Sequence, residues 1–218
     1  MIEDKMEEDF VDILNKILYE LDFYINYKIE YIKDKYNSLY VKKYLNDFII
    51  YVDIEEVFNK DIDLEILLYH EIYHLKQFLN NFPMIVSIDK AFSIIQNIVT
   101  DLYVDIKLIE DDYYEKSEKL FLYRINNIKE VVKKSLDDDD LYRIAFVLFE
   151  LNNIFIRQKI KLEQEINKIS KIAQKEKIYI IYGIILKNYK DPTKLYYELI
   201  NFKNPKKKII SFNEKIII

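Results

Sequence analysis

Apolar residues recur at intervals of three and four along the first 36 residues, which is the spacing of one buried face of a helix. The repeat ends at Asn37-Ser38, and the segment after it is predicted to be a short helix or irregular. Residues 48–54 are rich in β-branched and aromatic side chains and predict a strand. The apolar positions of the first helix are Phe10, Ile13, Leu14, Ile17, Leu18, Leu21 and Ile25.

Two further helical patterns follow the predicted strand. The first covers residues 61–80, and either Asp61 or Asp63 can cap its N-terminus. The second begins with Ser87 as its N-cap and continues to about residue 109, where an acidic cluster marks its end. The pattern therefore predicts two well-defined helices after a single strand.

Residues 111–218 carry mostly helical patterns. One segment covers about 115–135, another begins after the acidic run 137–140, and a third begins at Asp191-Pro192, because proline is favoured in the first turn of a helix. Short isoleucine-rich pieces of the tail could add an edge strand. The sequence predicts a predominantly α-helical α+β fold, divided into residues 1–110 and the C-terminal remainder.

Composition narrows the possible functions. The chain has 33 basic and 38 acidic residues and a net charge of −5, which argues against a nucleic-acid partner. It has no cysteine, which excludes disulfides and thiolate zinc sites, and its single glycine, Gly183, argues against glycine-rich phosphate loops. The acidic N-terminus and the absence of an apolar run of about 20 residues predict a soluble, cytoplasmic protein without a membrane partner. The high lysine and glutamate content is also typical of thermophiles.

The two histidines of the chain, His70 and His74, stand in the sequence His-Glu-Ile-Tyr-His. Residues at i and i+4 lie on the same face of a helix, so both imidazoles can point at one metal ion. Glu71 is close enough to reach a water molecule bound to that ion and to act as a general base. The motif lies in the middle of a predicted amphipathic helix, which favours a metal site over two unrelated histidines.

A catalytic zinc ion needs a third protein ligand and an open position for water. Because the chain has no third histidine, that ligand must be an aspartate or a glutamate. Asn97, Asp101 and Asp105 form a polar stripe at i, i+4 and i+8 of an otherwise apolar helix. Such a stripe is costly to bury unless it meets a partner, and the alternative is that it faces solvent. Asp89 and Glu110 are weaker ligand candidates.

The stretch from Leu67 to Leu75, with uncharged residues around the two histidines, resembles the zincin metallopeptidases and in particular the gluzincins. The order of a strand at 48–54 and then an HExxH helix is similar to the zincin core, in which a small β-sheet packs on that helix. The resemblance implies that Asp101 is the third ligand, although gluzincins have glutamate there. It also implies that Asp105 hydrogen-bonds a histidine ligand, with Asn97 beside it, and Asp105 could exchange roles with Asp101.

A zinc metallopeptidase is the function that this resemblance implies. One Zn²⁺ per chain would be held by the two histidines and Asp101, and Glu71 would be the base in the hydrolysis of a protein or peptide substrate. Residues 1–110 would form the metallopeptidase core with its N-terminal helix, and residues 111–218 a helical subdomain. The residue that stabilises the oxyanion stays open among the tyrosines and arginines. The alternative is a non-catalytic helical interaction protein that retains the metal-binding fold.

Overall fold

The structure is a computed structural model, and it describes residues 2–34, 38–44, 47–59, 63–86, 92–132, 136–154, 156–205, 210–212 and 215–217. Over these ranges the fold is α+β and mostly helical, as the sequence predicts. The helices are α1 (Ile2–Glu20), α2 (Ile54–Asn59), α3 (Leu64–Leu79), α4 (Ser93–Glu110), α5 (Tyr114–Val132), α6 (Asp138–Ile154), α7 (Ile156–Asn167), α8 (Ile172–Asn188) and α9 (Pro192–Lys203). The strands are β1 (Tyr27–Tyr31), β2 (Leu39–Tyr44), β3 (Asp47–Val52), β4 (Met84–Val86), β5 (Ile210–Phe212) and β6 (Lys215–Ile217).

The chain divides into two compact units. The first comprises Met1–Asn80 and Val104–Leu120, and the second comprises Asn81–Tyr103 and Phe121–Ile218. The boundaries of the units fall inside helices α4 and α5, so each of these helices contributes to both units. The domain division at residue 110 stays a prediction.

The first unit contains a three-stranded sheet in the order β1-β3-β2. The central strand β3 pairs in parallel with β1, where Ile29 lies opposite Ile50, and antiparallel with β2, where Val41 lies opposite the same residue. Alternate residues of β3 are buried, namely Phe48, Ile50 and Val52. One face of the sheet therefore packs on a core, and the predicted strand is confirmed with its end two residues earlier.

Two segments of the first unit correct the prediction. The helical pattern of the first 36 residues was predicted as one helix, but it ends with α1, and residues 27–31 form β1, with Ile25 outside the helix. The chain turns at Asp22, whose φ of 49° lies in the left-handed region. Residues 39–44, predicted as helical or irregular, form β2. Both are short strands whose pairing with β3 outweighs the local pattern.

Helix α3 lies in the core of the first unit and is buried around most of its circumference. Its N-cap is Asp63, whose Oδ1 accepts the backbone N–H of Glu65 at 2.9 Å, while the alternative cap Asp61 lies outside the described residues. The helix ends where the N–H of Asn80 donates to the carbonyl of Lys76, as predicted. The buried residues of α3 are Ile66, Leu68, Tyr69, His70, Ile72, Tyr73 and Leu75.

The core around α3 comes from several elements of the same unit. Buried apolar side chains of α1, β3, α2 and the C-terminal part of α4 form one cluster with those of α3. They include Phe10, Leu14, Ile50, Val57, Val104 and Leu108. The sheet and α3 therefore share one core, which fixes the orientation of the helix that carries the histidines.

Helix α4 is the second element of the candidate site. It begins at Ser93 and ends at Glu110, close to the predicted end, while the predicted N-cap Ser87 lies outside the described residues. Asp112, with φ of 69°, makes the turn that follows. The apolar face of α4 is buried in both units, at Ile95 and Val99 in the second unit and at residues 104 and 108 in the first.

The second unit is built mainly from helices. α6 packs against α7 and α8, and α8 packs against α9, which begins at its Asp191 N-cap and Pro192 as predicted. The isoleucine-rich tail forms β5 and β6, and β6 lies between β4 and β5 in a second three-stranded sheet. Among the described residues, no helix has both the length and the hydropathy that a membrane span requires.

Candidate metal centre

Three polar side chains of helix α3, at positions 70, 74 and 77, lie along one face at successive turns. The Nε2 atoms of His70 and His74 lie 3.1 Å from each other. The two rings meet edge to face, with centroids 4.7 Å apart and an interplanar angle of 83°. The i, i+4 spacing thus brings one nitrogen of each ring to a common point, as the motif predicts.

The other nitrogen of each ring faces an oxygen atom. Nδ1 of His70 lies 3.2 Å from Oδ1 of Asp105, and both side chains are almost fully buried. Nδ1 of His74 lies 3.1 Å from Oε1 of Gln77, three residues further along α3. Each Nδ1 atom therefore has an oxygen atom close to it, with hydrogen-bond geometry only at His74. An oxygen partner on the second ring nitrogen is typical of metal-ligating histidines.

Asp101 stands one turn before Asp105 on α4, and its side chain is partly buried. His70, His74 and Asp101 each offer one ligand atom, and these atoms all lie within 4.8 Å of one another. The group could hold a metal ion. The two aspartates lie one turn apart on the same face of α4, and Asp105 is the one that faces Nδ1 of His70.

The distance between the two histidine nitrogens fits a metal ion. Zinc holds histidine nitrogens at about 2.0–2.1 Å, so two such nitrogens in a tetrahedral site lie about 3.3 Å apart. The observed 3.1 Å between the Nε2 atoms is close to that separation. Two imidazoles with one carboxylate are a donor set of catalytic zinc sites, and neutral imidazole also suits other divalent metals.

The remaining predicted residues lie around this group in different environments. Glu71 is adjacent to His70 on α3 and is partly buried. The side chain of Asn97 is exposed, one turn before Asp101, so its place beside the site stays a prediction. Glu110, a weaker ligand candidate, is exposed and pairs with Lys107 at 2.6 Å. Asp89 lies outside the described residues.

Two tyrosines of α3 hold the helix in place. The hydroxyl of Tyr69 donates to Glu20, and the hydroxyl of Tyr73 donates to Asp111. Burial, together with these hydrogen bonds to carboxylates, raises the pKa of both tyrosines well above its ordinary value. The phenols stay protonated donors, so the two contacts anchor α3 to the end of α1 and to the turn after α4.

Several candidates for stabilising an oxyanion are engaged in other contacts. Tyr113 lies against Tyr69, with ring centroids 4.1 Å apart. Arg124 pairs with Glu150, and the exposed Arg143 lies 3.6 Å from Asp140. Burial raises the pKa of Tyr103, whose ring contacts Phe82. The side chains of Tyr114 and Arg157 lie outside the described residues. The oxyanion-stabilising residue therefore remains open.

Gln77 is the residue of this site that the sequence pattern did not single out. A spacing of three from His74 on the same helix face was a signal available in the sequence, because residues at i and i+3 are neighbours on a helix.

No protein-family model, curated protein or solved structure matches this chain. The function therefore has to be argued from the chemistry of the residues themselves.

Proposed function

We propose that this chain is a zinc-dependent metallopeptidase with a zincin-like core of the gluzincin type. In this proposal, His70, His74 and Asp101 hold one zinc ion per chain, and Glu71 is the general base. The observation that carries the proposal is that one ligand atom each of His70, His74 and Asp101 lie within 4.8 Å of one another, with both histidines in an HExxH sequence on α3. The substrate class is protein or peptide.

The environment of the ligands supports metal binding over an ordinary buried histidine pair. The carboxylate of Asp105 is buried beside Nδ1 of His70, and a carboxylate accepts hydrogen bonds without donating any. In this proposal the proton of His70 is on Nδ1, toward that carboxylate, and its Nε2 carries the lone pair that a metal ion needs. That nitrogen is also the one that faces His74.

The residues of the chain have distinct roles in the proposed reaction. When bound, zinc supplies a Lewis acid that lowers the pKa of a water molecule to about 7. Glu71 takes a proton from the attacking water and passes it to the leaving amine. Asp105 keeps the His70 ring in one orientation. A purely structural metal site has no need of a carboxylate beside the first ligand, and this favours catalysis over a non-catalytic interaction protein.

The first experiment measures metal content. The chain is purified without affinity tags or chelators, and its metals are determined by mass spectrometry beside His74→Ala. We expect about one zinc per chain, lost in the variant. If neither protein holds a divalent metal, even after zinc is added, the metal site is wrong.

The second experiment separates metal binding from catalysis. Glu71→Gln should keep its zinc, and its hydrolysis of an unfolded protein substrate should fall by about 10²–10⁴-fold. Glu118→Gln, at an exposed position of α5, is the matched control and should keep full activity. Zinc binding with equal activity in Glu71→Gln would remove its role as base. Zinc binding without hydrolysis in the native chain would favour the interaction protein.

A further inference from the structure

We propose that Gln77 is a positioning residue of the metal centre. Its amide oxygen accepts the Nδ1–H of His74 and so leaves the Nε2 atom of that ring free of a proton and directed at the metal position. This inference deepens the proposed function and rests on it for the identity of the ligand. Gln77 lies outside the HExxH motif, one turn beyond its last residue.

Gln77 and Asp105 each place an oxygen atom close to the Nδ1 atom of one histidine. Oε1 of Gln77 lies 3.1 Å from Nδ1 of His74. Oδ1 of Asp105 lies 3.2 Å from Nδ1 of His70. Each ring thus has an acceptor oxygen on one nitrogen and the other ring's Nε2 on the second. The two acceptors come from different helices, α3 and α4.

The proton on His74 decides which of two states the pair adopts. A neutral imidazole has one donor nitrogen and one acceptor nitrogen. If the proton of His74 is on Nε2, that nitrogen donates to Nε2 of His70, and the pair closes on itself. If the proton is on Nδ1, both Nε2 atoms are acceptors 3.1 Å apart, and a cation between them is favoured.

The oxygen of Gln77 selects the second, open state. An acceptor beside Nδ1 stabilises the tautomer that carries its proton there, and the amide oxygen occupies that position. Partners that orient metal-ligating histidines typically change metal affinity by about 10- to 100-fold when removed. Gln77 therefore holds His74 in the tautomer that can bind a metal ion. It also prevents a hydrogen bond from Nε2 of His74 to Nε2 of His70.

The first test compares two substitutions of Gln77 with a control. Gln77→Leu removes the acceptor and should weaken zinc binding by about 10- to 100-fold, measured by competition with a chromophoric chelator. Gln77→Glu retains an acceptor oxygen and should bind zinc at least as tightly as the native chain. Gln164→Leu, at an exposed position of α7, is the matched control and should leave zinc affinity unchanged.

The second test reads the proton of His74 directly in the metal-free protein. The chain has two histidines, so a long-range ¹H–¹⁵N NMR spectrum contains the signals of two imidazole rings. It is recorded at about pH 8, above the ordinary histidine pKa of about 6.5. We expect His74 to carry its proton on Nδ1 in the native chain and in Gln77→Glu. In Gln77→Leu we expect a shift toward the Nε2–H form.

The outcomes distinguish this inference from the proposed function. An Nε2–H ring for His74 in the native chain, or native zinc affinity in Gln77→Leu, would overturn the role of Gln77 even if the chain is a zinc peptidase. Conversely, failure of the native chain to bind zinc would overturn the proposed function. The NMR measurement would still decide whether Gln77 fixes the tautomer.

Discussion

Asp105 and Glu150 are both buried carboxylates, but they face partners of different kinds. In the second unit, Glu150 accepts a hydrogen bond from Nη1 of Arg124 at 2.5 Å, and the side chains of the pair are 4 % and 18 % exposed. In the first unit, Asp105 lies 3.2 Å from Nδ1 of His70. A guanidinium is always charged, whereas an imidazole carries a charge only when protonated.

Under the proposed function, the contact of Glu150 is structural, whereas the contact of Asp105 serves metal binding. The arginine brings a permanent counter-charge to Glu150, so disruption of the pair leaves a buried charge. In the proposed metal centre, the histidine uses one nitrogen for Asp105 and presents the other to the metal ion. Disruption of the first contact should therefore lower stability, and disruption of the second should lower metal affinity.

The largest expected effect is on stability, in Arg124→Met. The substitution leaves the carboxylate of Glu150 buried without its guanidinium, while methionine still fills the space near the rings of Phe121 and Phe146. We expect the free energy of unfolding, measured by urea denaturation in the presence of a chelator, to fall by about 3–5 kcal/mol. Zinc affinity of the folded protein should not change.

A surface pair provides the matched control for this substitution. Arg143 lies 3.6 Å from Asp140, and its side chain is 55 % exposed. Arg143→Met should therefore change the free energy of unfolding by no more than about 1 kcal/mol. Equal losses in the two variants would mean that the contact with Glu150 behaves as a surface ion pair, and the contrast with Asp105 would disappear.

Asp105→Asn tests the other side of the comparison. An amide can donate to Nδ1 of His70, which favours the wrong tautomer for a metal ligand. We expect zinc binding to weaken by about 10- to 100-fold in chelator competition, equivalent to about 1.4–2.7 kcal/mol. The free energy of unfolding without metal should fall by less than it does in Arg124→Met. The opposite ranking, with stability lost and zinc affinity kept, would make Asp105 a structural residue.

The parts of the fold that the sequence predicted well are those with local causes. α3 has an apolar face, an N-cap at Asp63 and a stop at Asn80, and all three act within the helix. β1 and β2 were missed because each is stabilised by pairing with β3, a contact that local periodicity does not encode. The helix-like spacing also continued across Asp22, where the chain turns.

Three turns of this chain are marked in the sequence by an aspartate or an asparagine. Asp22, Asn81 and Asp112 have positive φ values of 49°, 53° and 69°. The single glycine of the chain, Gly183, lies within α8, so aspartate and asparagine take these left-handed positions. In a sequence with so little glycine, an Asp or Asn at the end of a helical pattern is the better indicator of a turn.

In the candidate site, too, the sequence predicted only the contacts that local helix geometry determines. The HExxH spacing predicted that His70 and His74 share a face, because helix geometry alone brings them together. It did not predict that Gln77 would turn its amide oxygen to Nδ1, since that contact depends on side-chain rotamers. Which of the aspartates on α4 faces a histidine Nδ1 likewise depends on how α4 lies beside α3, and this is a property of packing.

The smallest expected effect comes from the helix caps, and it tests whether the stability of α3 and its metal affinity are separate properties. Oδ1 of Asp63 accepts the N–H of Glu65, and Oδ1 of Asp191 accepts the N–H of Lys194 in α9 of the second unit, each at 2.9 Å. Asp63→Ala and Asp191→Ala should each lower the free energy of unfolding by about 1 kcal/mol in urea denaturation. Neither should change zinc affinity, because a cap stabilises the helix end without touching a histidine tautomer. If Asp63→Ala weakens zinc binding as much as Asp105→Asn does, the histidines are positioned by the stability of α3 as a whole, and the distinction between structural and binding contacts fails in the first unit.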